Sequence, residues 1–222
     1  MLLDLNSDGL ADRLSMSPYL GIDISEAEVE RALRAYAPRI RFEKRSDAPE
    51  QAAKDVMENK VIGWFEGRCE SGPRALGHRS IVANPMHREN WERVNRIKQR
   101  EVWRPFAPSV LEEESPNWFK GLPHPSPYML FTGQVISSLL PAITHVDGSS
   151  RIQTVDSSAG DYCRMIKAFY RLSGVPVVLN TSLNGPGEPI VETPEHALAF
   201  YLNSELDALY MNGFKITKTG TD

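Results

Sequence analysis

The stretch from Glu66 to Ile81, EGRCESGPRALGHRSI, constrains this 222-residue chain more than any other segment. It follows an apolar run, Val61-Ile62-Gly63-Trp64-Phe65, whose length and bounds predict a buried strand. Between them lie the glycines Gly67, Gly72 and Gly77, with Arg68, Arg74, His78 and Arg79 among them. Glycine lets backbone approach a ligand closely, and a guanidinium fork matches phosphate or carboxylate oxygens two at a time. Two readings follow: an anion cradle at the end of a strand, or an ordinary turn with solvated arginines.

Charge distribution favours the cradle. The chain carries a net −4, yet Arg68 to Arg104 holds nine Arg or Lys against four Glu, so the remainder carries −9. Positive charge gathered in one segment suits a small polyanion better than a long duplex, and argues against a dedicated nucleic-acid protein. A hydrophobic content of 41% with 24% charged residues is ordinary for a globular protein with a real core. Cys69 and Cys163 have no metal-ligand spacing, and no signal-peptide pattern opens the chain, so a reducing cytoplasm is the expected compartment. No apolar run reaches the length of a membrane span.

Along the chain, residues 1–20 read as an extended lead-in and 21–222 as one domain. Ser25 to Glu28 forms a capping box that opens a helix running to about Ala37, before Pro38. Asp47 caps a second helix to about Asn59. A third amphipathic helix spans about His87 to Arg100, and a fourth spans Asp161 to Ser173 and ends on Gly174. Thr193 caps a helix over Pro194–Leu202. Strands are expected at Val61–Phe65, Tyr128–Val135, Arg151–Val155 and Val175–Leu179, and Val110-Leu111 sits at one end of another. Leu206–Met211 and Phe214–Thr217 flank Asn212-Gly213, a strong hairpin signal. Interspersed helices and strands with hairpins give a mixed α/β class whose sheet contains antiparallel pairs.

Three further polar clusters stand out. Lys98, Arg100 and Arg104 close the third helix, where helix-end cations are also ordinary; the Pro-bracketed Arg-Pro-Phe-Ala-Pro turn would hold Arg104 still. His145-Val-Asp147-Gly-Ser-Ser-Arg151 is either a plain turn or a turn that aims Arg151 along a strand. Asn180, Ser182 and Asn184 follow a buried strand, where open α/β sheets hold ligands. There is no Walker-type loop, no Gly-x-Gly-x-x-Gly and no His/Cys metal spacing, so anions would be held by side chains. Cys69 lies among cations but has no assignable base, which removes a thiol nucleophile from consideration.

GRCESGPRALGHRSI, the NxxKxREVWRPFAPSV of Asn95–Val110, THVDGSSRIQTV at 144–155 and PVVLNTSLNGPGEPIVETPEHAL at 176–198 together resemble the C-terminal domain of the NodU/CmcH/TobZ-type O-carbamoyltransferases. SPYLGIDISEAEVERAL at 17–33 is similar to the start of that domain, so the resemblance covers nearly the whole chain in order. Cys69-Glu70-Ser71 departs from the usual Met-Glu-Phe, and Leu183 from a usual Phe; neither removes a charge.

The resemblance implies a YrdC/Sua-like fold, a twisted mixed sheet with flanking helices. It implies an ATP-dependent carbamoyltransferase domain that takes ATP and carbamoyl phosphate and forms carbamoyl adenylate. A separate N-terminal actin-like domain with a metal site would then transfer the carbamoyl group to a hydroxyl of a small-molecule acceptor. Lys98-Gln99-Arg100 and Ser182-Leu183-Asn184 look like the Lys-x-Arg and Ser-x-Asn signature of YrdC-like proteins. Arg74, Lys98, Arg104 and Arg151 are the candidate catalytic clamp. Arg79, Arg100, Asn180, Ser182 and Asn184 are candidate substrate or nucleotide contacts. Mg²⁺ is expected with ATP; its carboxylate ligands cannot be assigned from sequence, and Asp147 and Glu188 are guesses. A nucleotide- or RNA-binding module, or a slow docking domain, would be the non-enzymatic alternatives.

Overall fold

The computed structural model describes residues 17–220. Six helices, α1 (Glu26–Tyr36), α2 (Ala48–Met57), α3 (Glu89–Ile97), α4 (Ser115–Trp118), α5 (Gly160–Ser173) and α6 (Pro194–Leu202), alternate with eleven strands. The strands are β1 (Ile40–Lys44), β2 (Ile62–Phe65), β3 (Arg79–Ala83), β4 (Ala107–Leu111), β5 (Phe119–Lys120), β6 (Thr132–Val135), β7 (Ser149–Arg151), β8 (Gln153–Val155), β9 (Val177–Ser182), β10 (Ala208–Met211) and β11 (Phe214–Lys218). Eight form one sheet in the order β1-β11-β10-β2-β3-β9-β4-β8, and β5-β6-β7 form a small second sheet. The large sheet is mixed: β10 with β2 and β4 with β8 are parallel, and its other pairs are antiparallel. No described helix is long and apolar enough to cross a membrane.

Every residue of β2, β3, β4, β8 and β10 is buried, with no solvent-facing alternate, so both faces of the central sheet need cover. Two helix pairs, α2 with α5 and α1 with α6, pack on it. α1 starts as its sequence dictates: the Ser25 side chain accepts from Glu28 N, and the Glu28 carboxylate accepts from Ser25 N. Thr193 caps α6 through His196 N, and Gly174 ends α5 at φ +72°. Asn212 and Gly213 both take positive φ in the β10–β11 turn, the conformation that an Asn-Gly hairpin needs.

Several expectations need correction. Asp47 makes no side-chain cap to α2; its carboxylate is taken by Arg45, with Nε at 2.9 Å. β1 is a further edge strand that the expectations omit: Ile-Arg-Phe-Glu-Lys alternates apolar and charged residues, but the apolar face is only two side chains long and only Ile40 of it is buried. The Tyr128–Val135 segment is strand only from Thr132, and Arg151–Val155 is two strands in two sheets, β7 and β8, with Ile152 between them. The basic segment stops being a loop at His78: Arg79–Ile81 already belong to β3, paired with β2 and β9. β9 likewise runs to Ser182, so Asn180 and Ser182 project from a strand rather than from a loop after it. Expectations for residues 1–16 lie outside the described residues; the lead-in becomes describable at Ser17.

Candidate functional site

β9 lies at the centre of the site. Its Ser182 and the following Asn184 wrap the ammonium of Lys98, which ends α3. Lys98 Nζ donates to Ser182 O (2.7 Å), Asn184 Oδ1 (2.6 Å), Asn184 O (3.1 Å) and Ser182 Oγ (3.2 Å). Ser182 Oγ in turn donates to Asn184 Oδ1, and Asn184 Nδ2 donates to Glu188 O, so the loop after β9 closes around the lysine. Lys98 is only 7% exposed, and no carboxylate is among its partners. Burial, with the nearby Arg100 charge, pushes its pKa down to about 7.

α3 also builds the arginine ledge beside it. Asn95 Oδ1 accepts from Arg100 Nε at 2.6 Å, and Arg100 lies over the Phe106 ring. The carbonyl of Arg104 accepts from Trp91 Nε1 (2.7 Å) and Asn95 Nδ2 (3.1 Å). The turn is therefore held by the buried face of α3 as well as by its prolines. The exposed Arg104 guanidinium pairs with Glu101. Lys98, Arg100 and Arg104 line a cleft of about 520 Å³ with Ser182, Asn184 and Gly185.

The Gly-rich loop supplies the opposite wall. Its organiser is Glu70, whose Oε1 accepts from the backbone N–H of Leu76 (2.7 Å), His78 (2.9 Å) and Arg79 (3.1 Å). That one oxygen draws residues 76–79 into a tight turn. His78 Nδ1 donates to Arg68 O, since a carbonyl can only accept, and burial holds the imidazole below its usual pKa. Tyr19 stacks on His78 at 3.6 Å and donates to Leu76 O. The strap around it bonds to the same loop through Ser71 N to Pro18 O and Gly21 N to Cys69 O. The loop residues Glu70, Ser71 and Gly72 face Ser182, Asn184, Glu188 and Glu192 across a second cleft of about 560 Å³.

The anticipated side chains do not all converge. Lys98, Arg100, Arg104, Ser182 and Asn184 form one group. Arg74 and Arg151 line neither cleft; burial, and after it the Arg74 charge, holds the Arg151 pKa down. Asn180 is buried and lines neither cleft; its amide nitrogen donates to Ala75 O, Ser109 Oγ and Gln153 Oε1. Arg79 departs from expectation. It is 0% exposed, donates to the carbonyls of Glu66, Gly67, His78 and Glu192, and lies 3.5 Å over the Phe65 ring. Arg79 ties β2, the loop and the segment before α6 together and is not free to meet a ligand.

Among the described residues, no three His, Cys, Asp or Glu side chains are grouped as a metal site requires. Asp147 accepts from the backbone and hydroxyl of Ser149, and Glu188 accepts from Gly185 N, so both are engaged in their own turns.

Sequence reasoning missed Glu70, Tyr19, Asn95 and Gln153. Glu70 carried a signal, as the one acid between Arg68 and Arg79. The others act through hydrogen bonds that no local spacing reveals.

Comparison with known proteins gives the family and the fold. The family model described as the carbamoyltransferase C-terminus matches residues 53–218. The chain belongs to the carbamoyltransferase C-terminal family. It is 44% identical over 209 residues to nodulation protein NolNO of Sinorhizobium fredii, covering 90% of this chain and 31% of that protein. It is 46% identical over 134 residues to the 3'-hydroxymethylcephem-O-carbamoyltransferase of Amycolatopsis lactamdurans, covering 60% of this chain and 26% of that one. This family member thus spans about a third of the length of the curated relatives it matches. Its fold resembles full-length HypF in the phosphate- and nucleotide-bound form, with TM-score 0.57 and 18% identity over 78% of this chain and 22% of that chain. It also resembles P. abyssi Sua5 complexed with L-threonine, with TM-score 0.50 and 14% identity over 74% of this chain and 46% of that chain. These neighbours bear out the YrdC/Sua-like mixed α/β architecture.

Proposed function

We propose that this chain is the carbamoyl-activating part of a carbamoyltransferase, binding ATP and carbamoyl phosphate and forming carbamoyl adenylate. The observation that carries the reading is the buried Lys98 ammonium, held by neutral oxygens alone where two clefts share Ser182 and Asn184. A buried cation without a counter-ion is costly, and a polyanionic substrate removes that cost. Arg100, Arg74 and Arg151 lack ion pairs among the described residues, so three guanidinium groups remain for phosphate oxygens, with the Lys98 charge behind them rather than free to bond directly.

Two displacements would complete the activation. Water takes the phosphoryl group of carbamoyl phosphate, its P–O bond breaks, and inorganic phosphate and carbamate result. A carbamate oxygen then bonds to the α-phosphorus of ATP while the α–β P–O bond breaks and pyrophosphate leaves. Both reactants are anions, so bringing them together is chiefly a matter of positioning and charge stabilisation. Lys98, Arg100 and Arg104 would hold the triphosphate, and Arg74 with Arg151 the other anion. Mg²⁺ would enter with ATP as part of that substrate. The adenine ring needs an apolar slot beside the triphosphate. A hollow of about 370 Å³ lined by Ile97, Pro186, Ile190 and Phe200 adjoins the lysine cleft through Gln99, Gly185 and Pro186.

HypF's description as phosphate- and nucleotide-bound and the cephem enzyme's name support this reading. The acceptor would be a small-molecule hydroxyl, met on an N-terminal actin-like, metal-binding domain in the same or another chain. Carbamoyl phosphate-dependent ATP–pyrophosphate exchange tests the activation step. Arg74→Ala or Lys98→Met should lower its rate by about 10²-fold or more. Exchange at the wild-type rate in both variants would sink the assignment.

A further inference from the structure

Lysine and arginine grip any phosphate or carboxylate, so the cations cannot by themselves choose a carbamoyl ester. Acetyl phosphate has a methyl group where carbamoyl phosphate has an amino group, and is otherwise close to it in shape and charge. Telling them apart requires a hydrogen-bond acceptor facing the amino nitrogen. The two clefts differ in this respect. One is lined by Lys98, Arg100 and Arg104, with Glu101 paired to Arg104; the other, joined to it at Ser182 and Asn184, is lined by Glu70, Glu188 and Glu192 and by no Lys or Arg. A ligand lying across the junction meets cations at one end and acceptors at the other.

Glu70 is the acceptor that the protein leaves unused. It is 6% exposed, its Oε1 is consumed by three backbone N–H groups, and its Oε2 has no hydrogen-bond partner. A buried polar atom without a partner is rare and costly, and calls for a reason. The other orphaned side-chain atoms, on Arg79, Asn84, Asn90, Ser150, Arg151 and Asn180, belong to residues that do not line this cleft. The three N–H bonds also fix the carboxyl plane, so Oε2 is pre-oriented. An oxygen acceptor repels phosphate oxygens, so it turns the anionic end of the ester away from Glu70 and toward the cations.

Resting on the carbamoyl-activating reading above, we propose that Glu70 is the specificity residue of this site, accepting a hydrogen bond from the carbamoyl amino group through Oε2. Gln at this position is the discriminating variant. Its carbonyl oxygen must face the three N–H donors, which puts its amino group at the Oε2 position and replaces an acceptor with a donor while keeping the loop.

The experiment titrates carbamoyl phosphate, acetyl phosphate and ATP separately into the full chain and into Glu70→Gln, by calorimetry. The wild type should prefer carbamoyl phosphate over acetyl phosphate by about 10- to 100-fold, the ratio that a hydrogen bond to a charged group gives. Glu70→Gln should lose that preference and keep its ATP affinity. A wild type that binds both esters equally overturns the proposal without recourse to any variant, so it stays testable even should Glu70→Gln fail to fold. Retained preference in Glu70→Gln, or a loss confined to ATP (which would make Glu70 a ribose contact), overturns it as well. If the wild type binds neither ester, the carbamoyl-activating reading falls with it; the other outcomes leave that reading intact.

Discussion

Lys98 shows how one residue's environment sets its chemistry. Free lysine is charged throughout the neutral range, but here burial and Arg100 bring the pKa down to about 7. An anionic ligand binds the charged form. Affinity should therefore be flat below pH 7 and fall as pH rises above it, by up to about tenfold per unit, because each unit lowers the charged fraction by that factor. ATP binding measured between pH 6 and 9 checks this; binding that stays constant or strengthens toward pH 9 would contradict it. Lys98, Ser182 and Asn184 were legible in sequence as a Lys-x-Arg and Ser-x-Asn pattern. Arg79 was not. Five residues from Arg74 and in the same basic segment, it reads as a second ligand contact, yet β3 begins at Arg79 and its guanidinium is spent on four carbonyls. Composition reports that a cation is present, and only the strand register says which way it turns.

At the scale of elements, the Gly-rich loop is a hydrogen-bonded connector between two antiparallel strands, β2 and β3. Glu70 and the Tyr19 strap bind it from within and without. Gly77 is the tightest point: its φ is +107°, and a Cβ there would sit 2.3 Å from the Tyr162 ring on α5. Tyr162 is fully buried, with its hydroxyl donating to Ser109 Oγ, so the ring cannot move aside. Gly77→Ala should cost about 1–3 kcal/mol, from overpacking added to a backbone conformation that disfavours a side chain. Denaturant unfolding would register this as a lower midpoint, whereas a substitution at Gly72, which has open space around it, should be felt far less sterically. The helices were readable because caps and periodicity are local: the Ser25 box, Thr193 and Gly174 all act as their sequence predicts. Strand limits were harder. β1 is a short edge whose alternation rests on two apolar residues, Ile40 and Phe42, and β9 continues through Asn180 and Ser182 because its neighbours β3 and β4 supply hydrogen bonds that a local polar sequence cannot foretell.

Across the whole molecule, the site is assembled from segments far apart in the chain: the loop before β3, the end of α3, β7, and β9 with its following loop. A net charge of −4 hides this gathering of cations, and only folding brings Lys98 to Asn184. That construction has a thermodynamic consequence. A ligand that bridges these segments binds the folded chain and not the unfolded one, so it stabilises all of them at once. At a concentration of 100 Kd the gain is about 2.7 kcal/mol, which for a chain of this size raises the melting temperature by about 5–10 °C. ATP and carbamoyl phosphate together should raise it beyond either alone, since each neutralises cations that the other leaves exposed or separated. Lys98→Met should abolish most of the shift produced by ATP, because that variant removes the charge at the junction while leaving the sheet intact. A thermal melt of Lys98→Met with a full ATP-induced shift would mean that the nucleotide is held elsewhere on the fold, and the cleft between α3 and β9 would lose its claim to be the triphosphate site.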